Sequence, residues 1–186
     1  MATIVLGICG SIAAYKAAGV ASALVRQGHE VHCVCTPAAL HFITPLTLHT
    51  LSRNPVVCRF EEENAAGNWV PVHIDLAQKA DLLCILPATA NTMACMAHGL
   101  TPNTLTSLYL ACTAPVLIFP AMNTHMWQHP ATQQNAAALA ARPGHRIIGP
   151  AEEGPLACGV SGKGRLVPEE EILHEISAAL AAPPQA

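Results

Sequence analysis

A chain of 186 residues, 52% hydrophobic and only 11% charged, has the length of one domain. So much apolar side chain predicts burial between copies of the chain as well as within one. A net charge of −3 without a basic block argues against nucleic acid as the main partner, and no run approaches the ~20 apolar residues that span a bilayer. The opening Met1-Ala-Thr-Ile-Val-Leu-Gly7 lacks a basic n-region and reads as a strand, so no signal peptide and a cytoplasmic location are expected.

The first predicted strand runs from Thr3 to Cys9 as a continuous apolar stretch. Gly10-Ser11 turns the chain into an Ala-rich helix from Ile12 to Gln27, which Gly28 stops. Glu30 to Cys35 is the second strand, and Thr36-Pro37 opens the next helix. That order is the first strand–helix–strand unit of a doubly wound α/β sheet. Pro45 divides residues 37–53 into one or two short helices. The polar stretch 54–72, with Glu61-Glu62-Glu63 and Gly67-Asn68, reads as an irregular surface loop. A short helix from Ile74 to Lys79 leads into a strand from Asp81 to Leu86. Helices over 91–99 and 103–112 follow, then a strand from Ala114 to Phe119, a helix over 130–142 and a short last strand from Arg146 to Gly149. Residues 154–164 hold four glycines, too many for regular structure. Glu169 to Ala182 closes the chain as a helix, giving one domain over 1–182 and a frayed tail at 183–186.

Eight cysteines and ten histidines raise the question of metal or disulfides. No Cys-x-x-Cys pair occurs. Cys9, Cys33, Cys35 and Cys84 fall in predicted strands, where a thiol behaves as a small apolar group. His125 and His129 are four apart, but no Glu stands between them and Pro130 follows, so no zinc signature results and no metal is expected.

Two predicted strands end alike, in a proline followed by a polar, helix-starting tail: Pro87-Ala-Thr-Ala-Asn-Thr92 and Pro120-Ala-Met-Asn123. Ligands of open α/β sheets sit just outside the carboxyl ends of the strands, so Thr89, Asn91, Thr92 and Asn123 stand where a cofactor or substrate would be held. The turn Gly7-Ile-Cys-Gly10-Ser11-Ile12 brings N–H groups and a hydroxyl to a helix start. That arrangement suits a phosphate, although a plain tight turn looks the same. Thr36 lies across the same crevice. His73 reads either as a base active near neutral pH or as a helix-edge histidine with one backbone hydrogen bond. Asn123 either caps a helix or offers a carboxylate two donors that do not titrate, with Met126 packed against the ligand. In Ala157-Cys158-Gly159-Val-Ser-Gly162-Lys163-Gly164-Arg165 a thiol sits among glycines beside two cations. A proton donor that moves over a site needs such mobility, though Gly-rich flaps also occur without function.

Five segments occur in one order: Gly10-Ser-Ile-Ala-Ala-Tyr-Lys16, His73-Ile-Asp-Leu76, Pro87-Ala-Thr-Ala-Asn-Thr92, Pro120-Ala-Met-Asn-Thr-His-Met-Trp127, and Ala157-Cys-Gly159 with Gly162-x-Gly-Arg165. Together they make the chain resemble the homo-oligomeric flavin-containing cysteine decarboxylases over residues 7–168. The resemblance implies a flavodoxin-like, Rossmann-type doubly wound parallel sheet in three α/β/α layers, assembled as a homotrimer or dodecamer. It implies FMN, with its phosphate near Gly10, Ser11 and Thr36 and further contacts from Ile12, Thr89, Ala90, Asn91, Thr92, Ser107 and Ala121. It makes His73 the active-site base, Asn123 the carboxylate-binding residue with Met126 beside it, and Cys158 the proton donor. Lys163 and Arg165 read as contacts to a substrate phosphate or as ordinary solvated charges.

The implied reaction removes CO₂ from a phosphorylated, cysteine-ended precursor of coenzyme A by way of a thioaldehyde and an enethiolate. The chain stops at Ala186, so the ligase step that makes such a substrate is expected from a separate polypeptide. Thr101-Pro102-Asn103 departs from the family pattern and is expected to alter a subunit contact, not the chemistry. The alternatives are a decarboxylase of another cysteine-ended substrate, a flavin prenyltransferase and a non-catalytic flavoprotein regulator. The Cys158-Gly159 pair sets the chain apart from the prenyltransferases and from peptidyl-cysteine decarboxylases, which stop at an enethiol. The presence of His73, Asn123 and Cys158 together speaks against the regulator.

Overall fold

The computed structural model describes residues 1–59, 62–63, 69–151 and 162–182, those at 62–63 and 69–70 by backbone alone. Strands β1 (Thr3–Ile8) and β2 (Glu30–Cys35) come first. A short antiparallel pair, β3 (Glu62–Glu63) and β4 (Trp69–Val70), follows, and then β5 (Leu82–Ala88), β6 (Val116–Pro120) and β7 (His145–Ile147). The five long-range strands form one parallel sheet in the order β2-β1-β5-β6-β7. Counted in chain order this is 2-1-3-4-5, the flavodoxin-like arrangement, and the winding reverses between β1 and β5.

Parallel strands covered on both faces read as unbroken apolar runs, and alternate side chains here enter two separate cores. Ile4, Leu6 and Ile8 of β1 join Leu82, Cys84 and Leu86 of β5 on one face. Val5, Leu83 and Ile85 point to the other. The first core is closed by α1 (Lys16–Arg26), α2 (Pro45–Ser52) and α8 (Glu169–Ala181). The second is closed by α3 (Val72–Lys79), α4 (Ala90–His98), α5 (Thr104–Ala111) and α7 (Pro130–Ala140). The result is the expected three-layer α/β/α architecture. Among the described residues no helix is long and apolar enough to cross a membrane.

Several boundaries differ from the sequence expectations, each for a local reason. The first helix opens as a 3₁₀ turn over Ile12–Tyr15, capped by Ser11, and becomes α-helical only at Lys16. Strand β5 runs on through Pro87 to Ala88. The register against β6 shifts between Ile85 and Ala88, and a proline without an N–H is tolerated at such an irregularity. The described parts of 54–72 are less irregular than expected: Val57 bridges Val34 in parallel, β3 pairs with β4, and α3 already begins at Val72. A five-residue helix, α6 (Thr124–Gln128), precedes α7. The two are split at His129, whose extended backbone is what a following Pro130 demands. The last strand is shorter and earlier than expected, at His145–Ile147.

Candidate active site

The carboxyl ends of β1, β2 and β5 enclose a cavity of ≈ 640 Å³ at the point where the winding reverses, a size in the range of small-molecule and cofactor sites. Gly10 and Ser11 line it from the turn after β1, and Thr36, Pro37 and Ala38 from the turn after β2. Thr89, Ala90, Asn91 and Thr92 line it from the start of α4, Pro102 and Asn103 from the approach to α5, and Met122 and Met126 from beyond β6. None of these residues is charged.

Local structure holds the polar ones in place. Ser11 Oγ accepts from the Ala13 N–H at 3.3 Å. Thr89 Oγ1 accepts from the Thr92 N–H at 3.3 Å and donates to Thr92 Oγ1 at 3.2 Å, so the Ser11 and Thr89 hydroxyls at the cavity are also helix caps. Thr36 donates its N–H to the Ile8 carbonyl at 2.9 Å and its hydroxyl to the same oxygen at 3.4 Å. A Cβ on Gly10 would stand 2.5 Å from the Ala38 Cβ. The glycine therefore lets the two turns close on each other. With the N-terminus of α4 aimed into the space, the electrostatics favour an anion there.

A second construction joins the cavity from the β6 side. The Met122 N–H donates to the Gly164 carbonyl at 2.8 Å, and the Ala151 N–H to the Arg165 carbonyl at 2.8 Å. A Cβ on Gly162 would lie 2.5 Å from Thr124 Oγ1, and one on Gly164 would overlap the Met122 carbonyl oxygen. Residues 162–165 are thus strapped across 122–124, and the Gly-x-Gly spacing is what permits the approach. Asn123 Oδ1 caps α6 by accepting from the His125 N–H at 2.9 Å. Lys163 is exposed and Arg165 half-buried.

Of the sequence-predicted cofactor residues, Gly10, Ser11, Thr36, Thr89, Ala90, Asn91 and Thr92 meet in one cavity, and Met126 joins them. Three stand off its lining. Ile12 is 58% exposed on the 3₁₀ turn, Ser107 is half-buried on α5, and Ala121 is buried with its N–H on the Ala88 carbonyl at 3.0 Å. His73 lies in the first turn of α3, half-buried. Because α3 leads directly into the amino end of β5, that first turn lies toward the sheet's carboxyl end, but His73 is not part of the cavity wall. Cys158 lies outside the described residues.

Sequence reasoning missed Pro37, Ala38, Pro102, Asn103 and Met122. Pro102 and Asn103 correct the expectation that 101–103 concerns only a subunit contact, since both line the cavity. The signal for Asn103 was legible. Its Oδ1 accepts from the Thr106 N–H at 3.1 Å, and Thr106 Oγ1 accepts in return from the Asn103 N–H at 3.4 Å. That is the reciprocal cap of a helix start.

Three of the strand cysteines, Cys9, Cys33 and Cys84, carry no chemistry of their own. Burial pushes the Cys9 thiol up to about 11 against the opposing hydrogen bonds of Thr92 and Thr89, and Cys33 up to about 12 against that of Ser52. Burial also raises Cys84. All three stay protonated and act as small apolar residues.

The fold and site define a class: a parallel α/β domain with a cavity fit for an anionic small molecule at the reversal of its sheet. Residues 1–181 match the family described as Flavoprotein, and the chain belongs to that family. Over 175 residues it is 43% identical to the "Probable phosphopantothenoylcysteine decarboxylase" of Streptococcus mutans, covering 93% of this chain and 96% of that one. Over 171 residues it is 44% identical to the Coenzyme A biosynthesis bifunctional protein CoaBC of Bacillus subtilis, covering 91% of this chain and 41% of that one. The chain therefore spans about two fifths of the length of the bifunctional relatives it matches. A solved structure of a PPC decarboxylase mutant complexed with pantothenoylaminoethenethiol is 30% identical, with a TM-score of 0.84, and covers 97% of this chain and 99% of that one.

A flavin is the cofactor of this family, and the residues present fit one. The cavity is large enough, its uncharged walls suit a planar ring, and hydroxyls with a helix N-terminus stand ready for a phosphate.

Proposed function

We propose that this chain decarboxylates phosphopantothenoylcysteine to 4′-phosphopantetheine with FMN as its cofactor. The observation that carries the reading is the cavity at the β1/β5 reversal, walled by the Gly10-Ser11 and Thr89–Thr92 segments that also carry the family resemblance. Ser11, Thr36 and the N-terminal turn of α4 hold the FMN phosphate. Ala90, Asn91 and Thr92, with Ile12, Ser107 and Ala121 around them, frame the rest of the cofactor. When bound, FMN would supply a reversible two-electron acceptor for the cysteine side chain, the chemistry that a thioaldehyde route requires.

The protein's share is position and proton control. His73 takes the proton from the substrate thiol. The Asn123 amide, whose oxygen is engaged in the cap, turns its N–H donors to the substrate carboxylate. Because the amide does not ionise, it holds the carboxylate without a counter-charge that would retain it. Met126 packs against the same end of the substrate. Loss of CO₂ beside a thioaldehyde leaves an enethiolate, and Cys158 returns the proton needed for reduction. Lys163 and Arg165, on the strap that crosses 122–124, meet the substrate phosphate.

Self-association as a homotrimer or dodecamer covers the exposed Ile12, Tyr15, Phe42 and Leu46, which lie on the segments flanking the cavity. A separate cytoplasmic ligase supplies the substrate.

Anaerobic incubation of the flavin-loaded protein with phosphopantothenoylcysteine, with CO₂ and product mass followed together, tests the reading. The expected product is 4′-phosphopantetheine. A product two hydrogens lighter would mean an enethiol-forming enzyme. No turnover here, with turnover of a different cysteine-ended compound or of a prenyl phosphate, would replace the proposal.

A further inference from the structure

We propose that Cys35 and Cys58 are a disulfide-forming pair that a hydroperoxide closes, stapling residues 56–58 to the edge of the sheet beside the candidate site. Val34 and Val57 are bridged in parallel. The Val57 N–H donates to the Cys33 carbonyl at 2.9 Å, and the Cys35 N–H to the Val57 carbonyl at 2.8 Å. One residue on from this isolated bridge, Cys58 follows Val57 as Cys35 follows Val34, which brings the two cysteines side by side. Neighbours on parallel strands point to the same face and lie about 4.8 Å apart, inside the Cα separation a disulfide accepts, about 4.4–6.8 Å.

Core membership bears out the facing. Val34 and Val57 enter one core, whereas Cys35 and Cys58 pack into the other. The two thiols interact: the Cys58 side chain, with burial, pushes the Cys35 thiol up, and Cys58 Sγ donates to the Val56 carbonyl at 3.8 Å.

Exposure sets the order of events. Cys35 is 1% exposed, whereas Cys58 is only partly buried, so the oxidant reaches Cys58. Its sulfur attacks one peroxide oxygen, the O–O bond breaks, and the departing hydroxide takes the thiol proton as water, leaving a sulfenic acid. The Cys35 sulfur then attacks the Cys58 sulfur, the S–O bond breaks, and a second water leaves with the Cys35 proton. Two thiols lose two electrons in all, and one peroxide gains them. The ring so closed contains Thr36, Pro37 and Ala38, the β2 wall of the cavity.

The test treats the folded flavin-loaded protein with one equivalent of hydrogen peroxide, blocks remaining thiols with N-ethylmaleimide and maps peptides by mass without reduction. The expected result is a Cys35–Cys58 cross-link, absent before treatment and undone by dithiothreitol. The melting temperature should rise by roughly 5–10 °C, with no such rise in Cys58→Ser. Cys58 joined to another cysteine, Cys58 taken to sulfinic acid with Cys35 alkylated, or a cross-link formed only after unfolding in urea would each overturn the proposal.

Discussion

The Met122 N–H donates to the Gly164 carbonyl at 2.8 Å, and Gly164 lies so close to the Met122 carbonyl that a Cβ would overlap it. Its φ of +145 adds a conformation that other residues rarely adopt. Two independent constraints thus exclude any side chain at this position, and both act where the strap crosses the residues next to Asn123.

Gly164→Ala should therefore lift the strap. The expected outcome is a loss of roughly tenfold or more in decarboxylation, with a stability cost of about 1–3 kcal/mol. Flavin absorbance should be retained, because Ser11, Thr36 and Thr89 are untouched. Steady-state kinetics, a urea melt and a visible spectrum check it together. Parent-like turnover would disconnect the strap from the chemistry.

Thr89 serves two purposes, capping α4 and facing the cavity. Thr89→Val keeps the shape and removes the oxygen. It should cost about 1 kcal/mol of stability through the lost cap and weaken flavin binding by roughly 5–10-fold through the lost hydrogen bond. Thr89→Ser should restore both. A flavin titration beside a thermal melt separates the effects; a weaker cap with unchanged flavin affinity would leave Thr89 a purely structural residue.

Asn123 offers a variant in which fold and chemistry part company. Aspartate caps helices as well as asparagine does, so Asn123→Asp should keep the bond from the His125 N–H, now 2.9 Å, and leave the melting temperature near that of the parent. The new negative charge would face the substrate carboxylate, and KM should rise by roughly tenfold or more. Unchanged KM would remove the carboxylate from Asn123.

The strands and the hydroxyl-bearing turns were legible in the sequence because each is a local fact. An unbroken apolar run that ends in proline and a polar tail is a buried parallel strand, and the winding order fixes where its end must lie. Thr36 and Thr89 are far apart in the chain yet reach one cavity for that reason. The remaining wall depends on how turns close on each other, which no local pattern encodes. Ala38 lines the cavity because Gly10 lets the β1 turn pack against it, and Met122 does so near the point where Gly164 holds its backbone. Pro87 was misplaced outside β5 because the irregularity that accommodates it is a property of the pairing with β6. The placement of His73 off the cavity wall was likewise beyond local reading, since it follows from the packing of α3.

The far end of α4 carries a pH dependence of its own. Arg142 Nη2 donates to the Ala97 carbonyl at 2.8 Å and Nη1 to the Met96 carbonyl at 3.1 Å, and Nη1 also donates to the Tyr109 oxygen. With its oxygen so engaged, the Tyr109 hydroxyl donates to His145 Nε2 at 3.0 Å, and His145 Nδ1 donates to the Pro143 carbonyl at 2.9 Å. This network needs a neutral imidazole with a lone pair on Nε2. Burial holds the His145 pKa below its ordinary 6.5, the Arg142 charge adds to that, and the Pro143 hydrogen bond opposes it. Above 6.5 the imidazole is neutral in folded and unfolded chains alike and contributes no slope. Below it the unfolded chain takes up the proton first, so stability falls with pH until the folded imidazole is protonated too. Melting temperatures between pH 8 and 5 should drop more steeply for the parent than for His145→Gln, which cannot titrate. Equal slopes would mean that Tyr109 and Arg142 tolerate the imidazolium, and that the anchor of α4 does not depend on the proton.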